Sequence, residues 1–173
     1  MASTLLSGKD LILFFRKYAD KATTDGSKLK FQTEHSISKE KENEAVNTKD
    51  GIIQTITDGE NTADITSLAY VDDSGTQEVW RVLEEWFDDG ELVEVWEVDI
   101  TSATETGEYG ATYYQGYFTS FEKSAPSDGQ VELTINYAIN GKGAKGEDQL
   151  TPEQVGEINN TLYEYETIQA TEE

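Results

Sequence analysis

Cysteine is absent from the chain, which excludes a disulfide framework, a thiolate metal site and a cysteine nucleophile. There is one histidine, His35, too few for a histidine-rich metal centre. A Ser-His-Asp triad would need His35 as its base, yet no Gly-x-Ser-x-Gly elbow presents a nucleophile. On a strand-like segment a lone histidine serves packing or surface more often than catalysis. Arginine is nearly missing as well: Arg16 and Arg81 are the only two, so the clustered guanidinium groups of a nucleic-acid binder are not there. No long apolar run exists. The stretch Leu11 to Phe15 is bracketed by Lys9, Asp10, Arg16 and Lys17, far short of a secretory core or a membrane span. The expectation is a protein made and kept in the cytoplasm, with no membrane partner.

What is abundant is negative charge, and it is unevenly placed. The chain of 173 residues has a formal net charge of −22. Its first 49 residues carry nine of the 13 basic side chains and come out at +2, while the remainder carries 28 acids against four bases. A body this acidic repels free nucleic acid and anionic membrane. Its natural electrostatic partner is a positive surface, including the front of another copy, so self-assembly is the first hypothesis. The plainer alternative is an acidic surface that merely keeps a domain soluble.

The apolar pattern predicts mostly strand. Gly8 to Tyr18 reads as a strand buried at its centre, turned by Asp25-Gly26, and Lys30 to Lys39 alternates around Phe31, Thr33, His35 and Ile37. Glu40 to Gly51 loses all period and reads as a long exposed loop. Strand resumes at Ile52, turns at Asp58-Gly59, and continues from Ala63 to Val71. The single amphipathic helix spans Thr76 to Asp89, with Val79, Trp80, Leu83, Trp86 and Phe87 on one stripe. Ser74 and Gln77 form a capping box and Gly90 a left-handed stop. Three strong strands follow, Leu92 to Thr101, Ala111 to Lys123 and Gln130 to Asn140. In the last, Val131, Leu133, Ile135, Tyr137 and Ile139 face inward. Asp128-Gly129 and Asn140-Gly141 read as turns. Thr151-Pro152 opens a short helix to Ile158, and Leu162 to Ile168 reads as a final strand or arm. Residues 1–173 thus make one mainly β (α+β) domain, a sandwich or split barrel of antiparallel strands with a flanking helix. Its extensions are an N-terminal arm at 1–7 and a C-terminal arm at 151–173.

Candidate chemistry is thin. The segment Gly141-Lys142-Gly143-Ala144-Lys145-Gly146 is followed by Glu147 and Asp148, where a phosphate cradle needs lysine and a hydroxyl; an inter-strand loop is the better reading. Paired acids such as Glu84-Glu85 and Asp88-Asp89 lie on the polar side of the helix and read as a solvated face. Asp72-Asp73-Ser74-Gly75 lacks the spaced ligands of a calcium loop. Asn159-Asn160-Thr161 spells a glycosylation sequon with no secretory signal beside it. No catalytic residue, cofactor or metal site is expected.

The run Gly8-Lys9-Asp10-Leu11-Ile12-Leu13-Phe14-Phe15-Arg16, then Lys28-Leu29-Lys30-Phe31-Gln32-Thr33-Glu34-His35-Ser36, then Thr48-Lys49-Asp50-Gly51, resembles the major tail protein family of long-tailed phages of Gram-positive bacteria, the TP901-1-like tail tube proteins. The order of elements resembles that family along nearly the whole chain, without an immunoglobulin-like domain following. The resemblance implies a β sandwich or split barrel with one flanking helix and no enzymatic activity. It also implies hexameric rings stacked into a tube around a tape-measure protein, with distal tail and tail terminator proteins as further partners. The location implied is the virion tail, after a stage in the host cytoplasm. DNA would slide through an acidic lumen during ejection, unbound. Because salt limits a charge's reach to about 8 Å, only wall carboxylates can act on that DNA; outward positions Glu97, Asp99 and Glu132 are the candidates. Ring stacking is expected from the loop 40–51, with Lys39, Lys41, Lys49, Asp50 and Gly51. Reversing the three lysines to Glu is expected to block stacking and spare the fold.

Two other classes fit the composition. A small carbohydrate-binding or glycoside-cleaving β domain would display Tyr109, Tyr113, Tyr114 and Tyr117 as an exposed platform. An acidic DNA mimic would space carboxylates like phosphates along one face.

Overall fold

The computed structural model describes residues 2–159 and residue 168. Among the described residues nine strands and two α-helices follow one another: β1 (Leu11–Lys17), β2 (Ser27–Lys28), β3 (Gln32–Ser38), β4 (Lys41–Thr48), β5 (Gly51–Asp58), β6 (Asn61–Leu68), α1 (Val79–Asp89), β7 (Val93–Asp99), β8 (Glu108–Ser124), β9 (Glu132–Gln149) and α2 (Pro152–Asn159). Seven strands form one antiparallel sheet in the order β2-β1-β7-β8-β9-β6-β3, and β4 pairs only with β5.

The sheet curls into a half-barrel that brings β3 at one end within side-chain reach of β1 and β7, which makes it the split barrel of the two β architectures expected. Side chains close the seam. The Leu13 amide donates to Gln32 Oε1 at 3.2 Å, and Gln32 Nε2 donates back to the Leu13 carbonyl at 2.9 Å. A glutamine on β3 thus replaces a missing ladder partner on β1. One step further, His35 Nε2 lies 2.6 Å from Glu97 on β7.

Inside the curl, Leu13, Phe15, Ile65, Val93, Val95, Leu133, Ile135 and Tyr137 form the main core. The inward set expected on the last strand is borne out for Leu133, Ile135, Tyr137 and Ile139. Helix α1 closes one flank: Trp80 and Leu83 are buried, with Val79, Trp86 and Phe87 packed beside them. The expected stripe therefore faces the core. Trp80 Nε1 donates to the Tyr70 carbonyl at 2.8 Å, so the indole is satisfied where it is buried. A second, smaller cluster of Ile12, Phe14 and Val98 lies on the outer face of the sheet, with Trp96, Tyr109, Leu150 and Ile158 against it; α2 packs there.

Several boundaries depart from the sequence reading. Gly8 to Asp10 form a 3-10 turn, so β1 begins only at Leu11. The helix starts at Val79, three residues late, and the Ser74 and Gln77 capping box does not form. Ser74 instead accepts no helix amide: its own amide donates to Asp72 Oδ1, and Gln77 Nε2 reaches Glu85. The left-handed stop at Gly90 is as expected, with φ 64° and the Glu91 amide donating to the Trp86 carbonyl. Asn140-Gly141 is not a turn. After the Gln115 and Asn140 pair the ladder resumes at Tyr113 and Ala144, so three residues of β9 oppose one of β8 and the strand bulges instead of reversing. Gly141 and Gly143 supply the positive φ values this needs, 68° and 81°. A Cβ at Gly143 would sit 2.5 Å from the Tyr114 ring, which the bulge directs into the core. The final strand or arm expected at Leu162 to Ile168 lies outside the described residues apart from residue 168.

Candidate assembly surfaces

The segment expected to be a loop is the largest exposed feature of the fold. Residues 40–51 are not a loop: β4 and β5 form an antiparallel hairpin of eight residue pairs, from Lys41 with Asp58 to Thr48 with Gly51. Every residue of both strands is exposed. The physical reason is local. Val46, Ile52, Ile53 and Ile56 are β-branched and favour strand, and Lys49-Asp50 is the two-residue connection that such strands need. Gly51 takes a φ of 129° there, and Thr48 Oγ1 donates to the Gly51 carbonyl at 2.7 Å.

Of the five candidate stacking residues, Lys49, Asp50 and Gly51 sit at the tip of this hairpin and Lys39 and Lys41 at its root. Lys41 is ion-paired with Asp58, whose carboxyl that lysine's hydrogen bond holds below its usual range. Lys39 Nζ donates to the Lys142 carbonyl at 3.2 Å. The root is therefore anchored to the body through β9, and the tip projects. A run of eight extended residues carries it roughly 25 Å outward. Sequence reasoning overlooked the hairpin's aliphatics. Val46, Ile52, Ile53 and Ile56 are 46%, 65%, 57% and 58% exposed, with Val46 opposite Ile53 on one face and Ile52 and Ile56 on the other. Both faces of this ribbon thus carry exposed aliphatic side chains, and β4 and β5 pair only with each other.

The three candidate wall acids are not brought together. Asp99 pairs with Gly110 and Glu132 with Ser124, near opposite ends of β8. Glu132 is exposed. The other two do not face outward as expected: alternation along β7 puts Glu97 and Asp99 on the Val93 and Val95 side. Glu97 is held by His35, while Asp99 Oδ1 accepts the Thr101 amide at 2.9 Å and hydroxyl at 2.6 Å. The shift arises because Val98, on the opposite parity, belongs to the outer cluster, so β7 is buried on both faces. A strand covered twice carries no readable alternation.

The outer face of β7 also holds a charge that sequence reasoning missed. Glu94 is buried, 2% exposed; its Oε2 accepts from Arg16 Nε at 2.6 Å and its Oε1 from the Tyr113 hydroxyl at 2.5 Å. Arg16 stacks 4.9 Å over Trp96. Its signal in the sequence is a lone acid between two buried valines. Burial, then the bond to Glu94, pushes the Tyr113 hydroxyl up to about 12 from 10.0. With the folded value raised, Tyr113 costs no stability below pH 10 but loses it as pH rises from 10 toward 12, where the unfolded chain ionises first. Chemical denaturation from pH 9 to 12 should show falling stability, with a shallower fall in Tyr113→Phe; equal slopes would refute this.

The same network removes the carbohydrate platform. Tyr114 is 4% exposed, Tyr113 is bonded to Glu94, Tyr109 is half-buried, and only Tyr117 is open, at 44%. Among the described residues no group of acids and histidine gathers as metal ligands, and no helix is long and apolar enough to cross a membrane.

A curled antiparallel sheet with one flanking helix has a known counterpart. The family model for the phage tail tube protein matches residues 5–145. The chain belongs to this family. It is a structural subunit of a phage tail tube, and its place is the virion tail. A tail protein of Staphylococcus phage phiMR25 is 29% identical over 147 residues, covering 83% of this chain and 73% of that protein. The tail tube protein gp17.1* of Bacillus phage SPP1 is 26% identical over 167 residues, covering 96% of this chain and 61% of that protein. Among solved structures, the SPP1 tail tube superimposes with a TM-score of 0.69 at 19% identity, over 98% of this chain and 95% of that one. The tail of a gene transfer agent particle, refined with C6 symmetry, gives 0.56 at 15% identity over 80% and 96%. These likenesses carry the fold, a tail tube split barrel. The finer TP901-1-like grouping rests on the N-terminal motifs alone.

Proposed function

We propose that this tail tube subunit forms hexameric rings that stack into a hollow conduit for DNA, with no enzymatic activity of its own. The observation that carries this reading is the β4–β5 hairpin, whose aliphatic faces have no partner within the described fold and would be covered by a neighbouring ring. The sixfold symmetry of the gene transfer agent tail supports the ring size. Residues 1–173 would act as one unit. The N-terminal arm, where Leu5 and Leu6 are 96% and 56% exposed, and the C-terminal arm at 151–173 would add contacts. A tape-measure protein within the bore, and distal tail and terminator proteins at the ends, would complete the tail after a soluble stage in the host cytoplasm.

The acidic lumen is part of the proposal, supported by the 28 acids that follow Lys49. Glu132 is the wall candidate best placed to meet DNA. Glu97 and Asp99 face the Val93 and Val95 side and are each bonded within their own subunit, so Glu132 would carry the contact with DNA.

A ring of six multiplies the formal charge of −22 sixfold, so repulsion between copies opposes assembly in dilute salt. A nucleating tail tip would then decide when polymerisation starts. Negative-stain microscopy across ionic strength tests the reading. Isolated subunits at low salt and low concentration, giving way to tubes as either rises, is the expected result. A protein that stays solitary at every ionic strength, even with its tail-tip partners, would overturn it. Tubes that form at low salt and dissolve on adding it would overturn the charge balance.

A further inference from the structure

We infer that a small pocket on the outer face of the sheet is the receptor for Lys49 of a second copy. The inference rests on the reading that the hairpin reaches a neighbour, and it adds where the tip goes.

The pocket encloses about 170 Å³, below the roughly 300–1,000 Å³ of a drug-sized site and suited to one side chain. Phe14, Trp96, Val98 and Tyr109 line it, and Asp25 and Asp148 stand at its mouth, both exposed. Its wall is fixed. Gln154 Nε2 donates to the Gly26 carbonyl at 2.7 Å, and a Cβ on Gly26 would meet the Trp96 ring at 3.3 Å, so glycine lets the loop close down on the indole.

This chemistry selects a lysine. The aliphatic stem lies along apolar walls while the ammonium stays at the carboxylates of the mouth, with the Tyr109 ring adding attraction for a cation. Arg16 also lines the pocket, but Glu94 matches its charge. Among the described residues Asp25 and Asp148 form no ion pair, so the unmatched charge of the pocket is negative.

The geometry of the remaining cations narrows the occupant. Lys17, Lys30, Lys41 and Lys123 are ion-paired with acids of their own chain. Lys145 pairs opposite Thr112, whereas the pocket residue Ala111 pairs opposite Gly146; alternation turns Lys145 to the other face. Lys21, Lys28 and Lys39 are hydrogen-bonded within the subunit, and of the bases with neither kind of partner among the described residues, Lys9, Lys49, Lys142 and Lys145, only Lys49 sits at the tip of the projecting hairpin.

The absence of cysteine makes a crosslinking test clean. Lys49→Cys protein is mixed with Asp148→Cys protein under tube-forming conditions and treated with a short bifunctional thiol reagent, since a lysine's length separates the two backbones beyond disulfide reach. Crosslinked dimers should exceed those from Lys49→Cys mixed with Glu122→Cys by about tenfold and vanish in unassembled protein. Charge exchange is the second arm. Lys49→Glu and Asp148→Lys should each raise the concentration needed for tubes about tenfold, and combining them should restore it to within about threefold of wild type. Tubes without selective crosslinks, or no restoration by the double variant, would overturn the receptor and leave the stacking hairpin standing. Failure of wild-type protein to form tubes under any condition would overturn both.

Discussion

Replacing residues 41–58 by an Asn-Gly turn is expected to abolish tube formation while leaving the thermal midpoint within a few degrees of wild type. The two effects separate because the hairpin contributes nothing to the core: all sixteen residues of β4 and β5 are exposed. The root already supports a tight closure, since the Gly59 amide donates to the Glu40 carbonyl at 3.0 Å, and β3 and β6 pair up to Ser38 and Thr62. A two-residue primed turn suits that geometry. The loss of assembly follows from area. Val46, Ile52, Ile53 and Ile56 are about half covered in the free subunit. At about 1.5–3 kcal/mol for full burial of each, docking the rest gains roughly 3–6 kcal/mol per subunit. That corresponds to about two to four decades in association constant. Circular dichroism and microscopy on one preparation make the comparison. Tubes of normal yield would refute the stacking role, and loss of the thermal transition would refute the independence of the hairpin.

The largest effect on stability belongs to Trp80→Ala. Trp80 is 5% exposed, packs from α1 into the main core, and donates its indole hydrogen to the Tyr70 carbonyl. Lys123 lies 5.6 Å over its ring from β8. Truncation leaves a cavity and orphans the Tyr70 carbonyl, so a loss of about 3–5 kcal/mol is expected. For a chain of this size that lowers the midpoint by roughly 6–20 °C. Arg81 also stacks on that ring, at 4.4 Å, but from the exposed side. Arg81→Ala should cost well under half as much, which separates burial of the indole from its cation contacts. A Trp80→Ala midpoint within two or three degrees of wild type would mean that α1 does not seal the core.

The hairpin shows where reading by period fails. Its stretch from Lys41 to Thr48 holds three charged residues and only two apolar ones, so nothing in it alternates against a core. Period reports burial, and a ribbon that buries nothing within its own chain leaves no period to read. The informative signal was chemical: Lys49-Asp50-Gly51 followed by Ile52, Ile53, Thr55 and Ile56 is a turn running into a β-branched strand. Glu97 illustrates the converse. With Val93, Val95 and Val98 covered from two sides, parity along β7 could not tell which acids point to water, and Glu94, the buried one, gave no sign of its partners Arg16 and Tyr113.

The amino-acid order alone determined the elements whose partners are close in sequence or whose stripes are strong. These are the α1 stripe and its Gly90 stop, the inward set on β9, the mainly β class, and the split between a basic front and an acidic body. Each depends on local spacing and composition, which survive without a partner in view. The tertiary structure decided everything that depends on contacts between distant residues. Gln32 and His35 close the curl only because β3 is brought back against β1 and β7. Glu94 is tolerated only because Arg16 and Tyr113, 78 residues before it and 19 after, converge on its two oxygens. The hairpin is an arm only because the sheet pairs without it. A sequence records which side chains exist and how they are spaced, whereas pairing across long separations depends on which chain segments fold into contact.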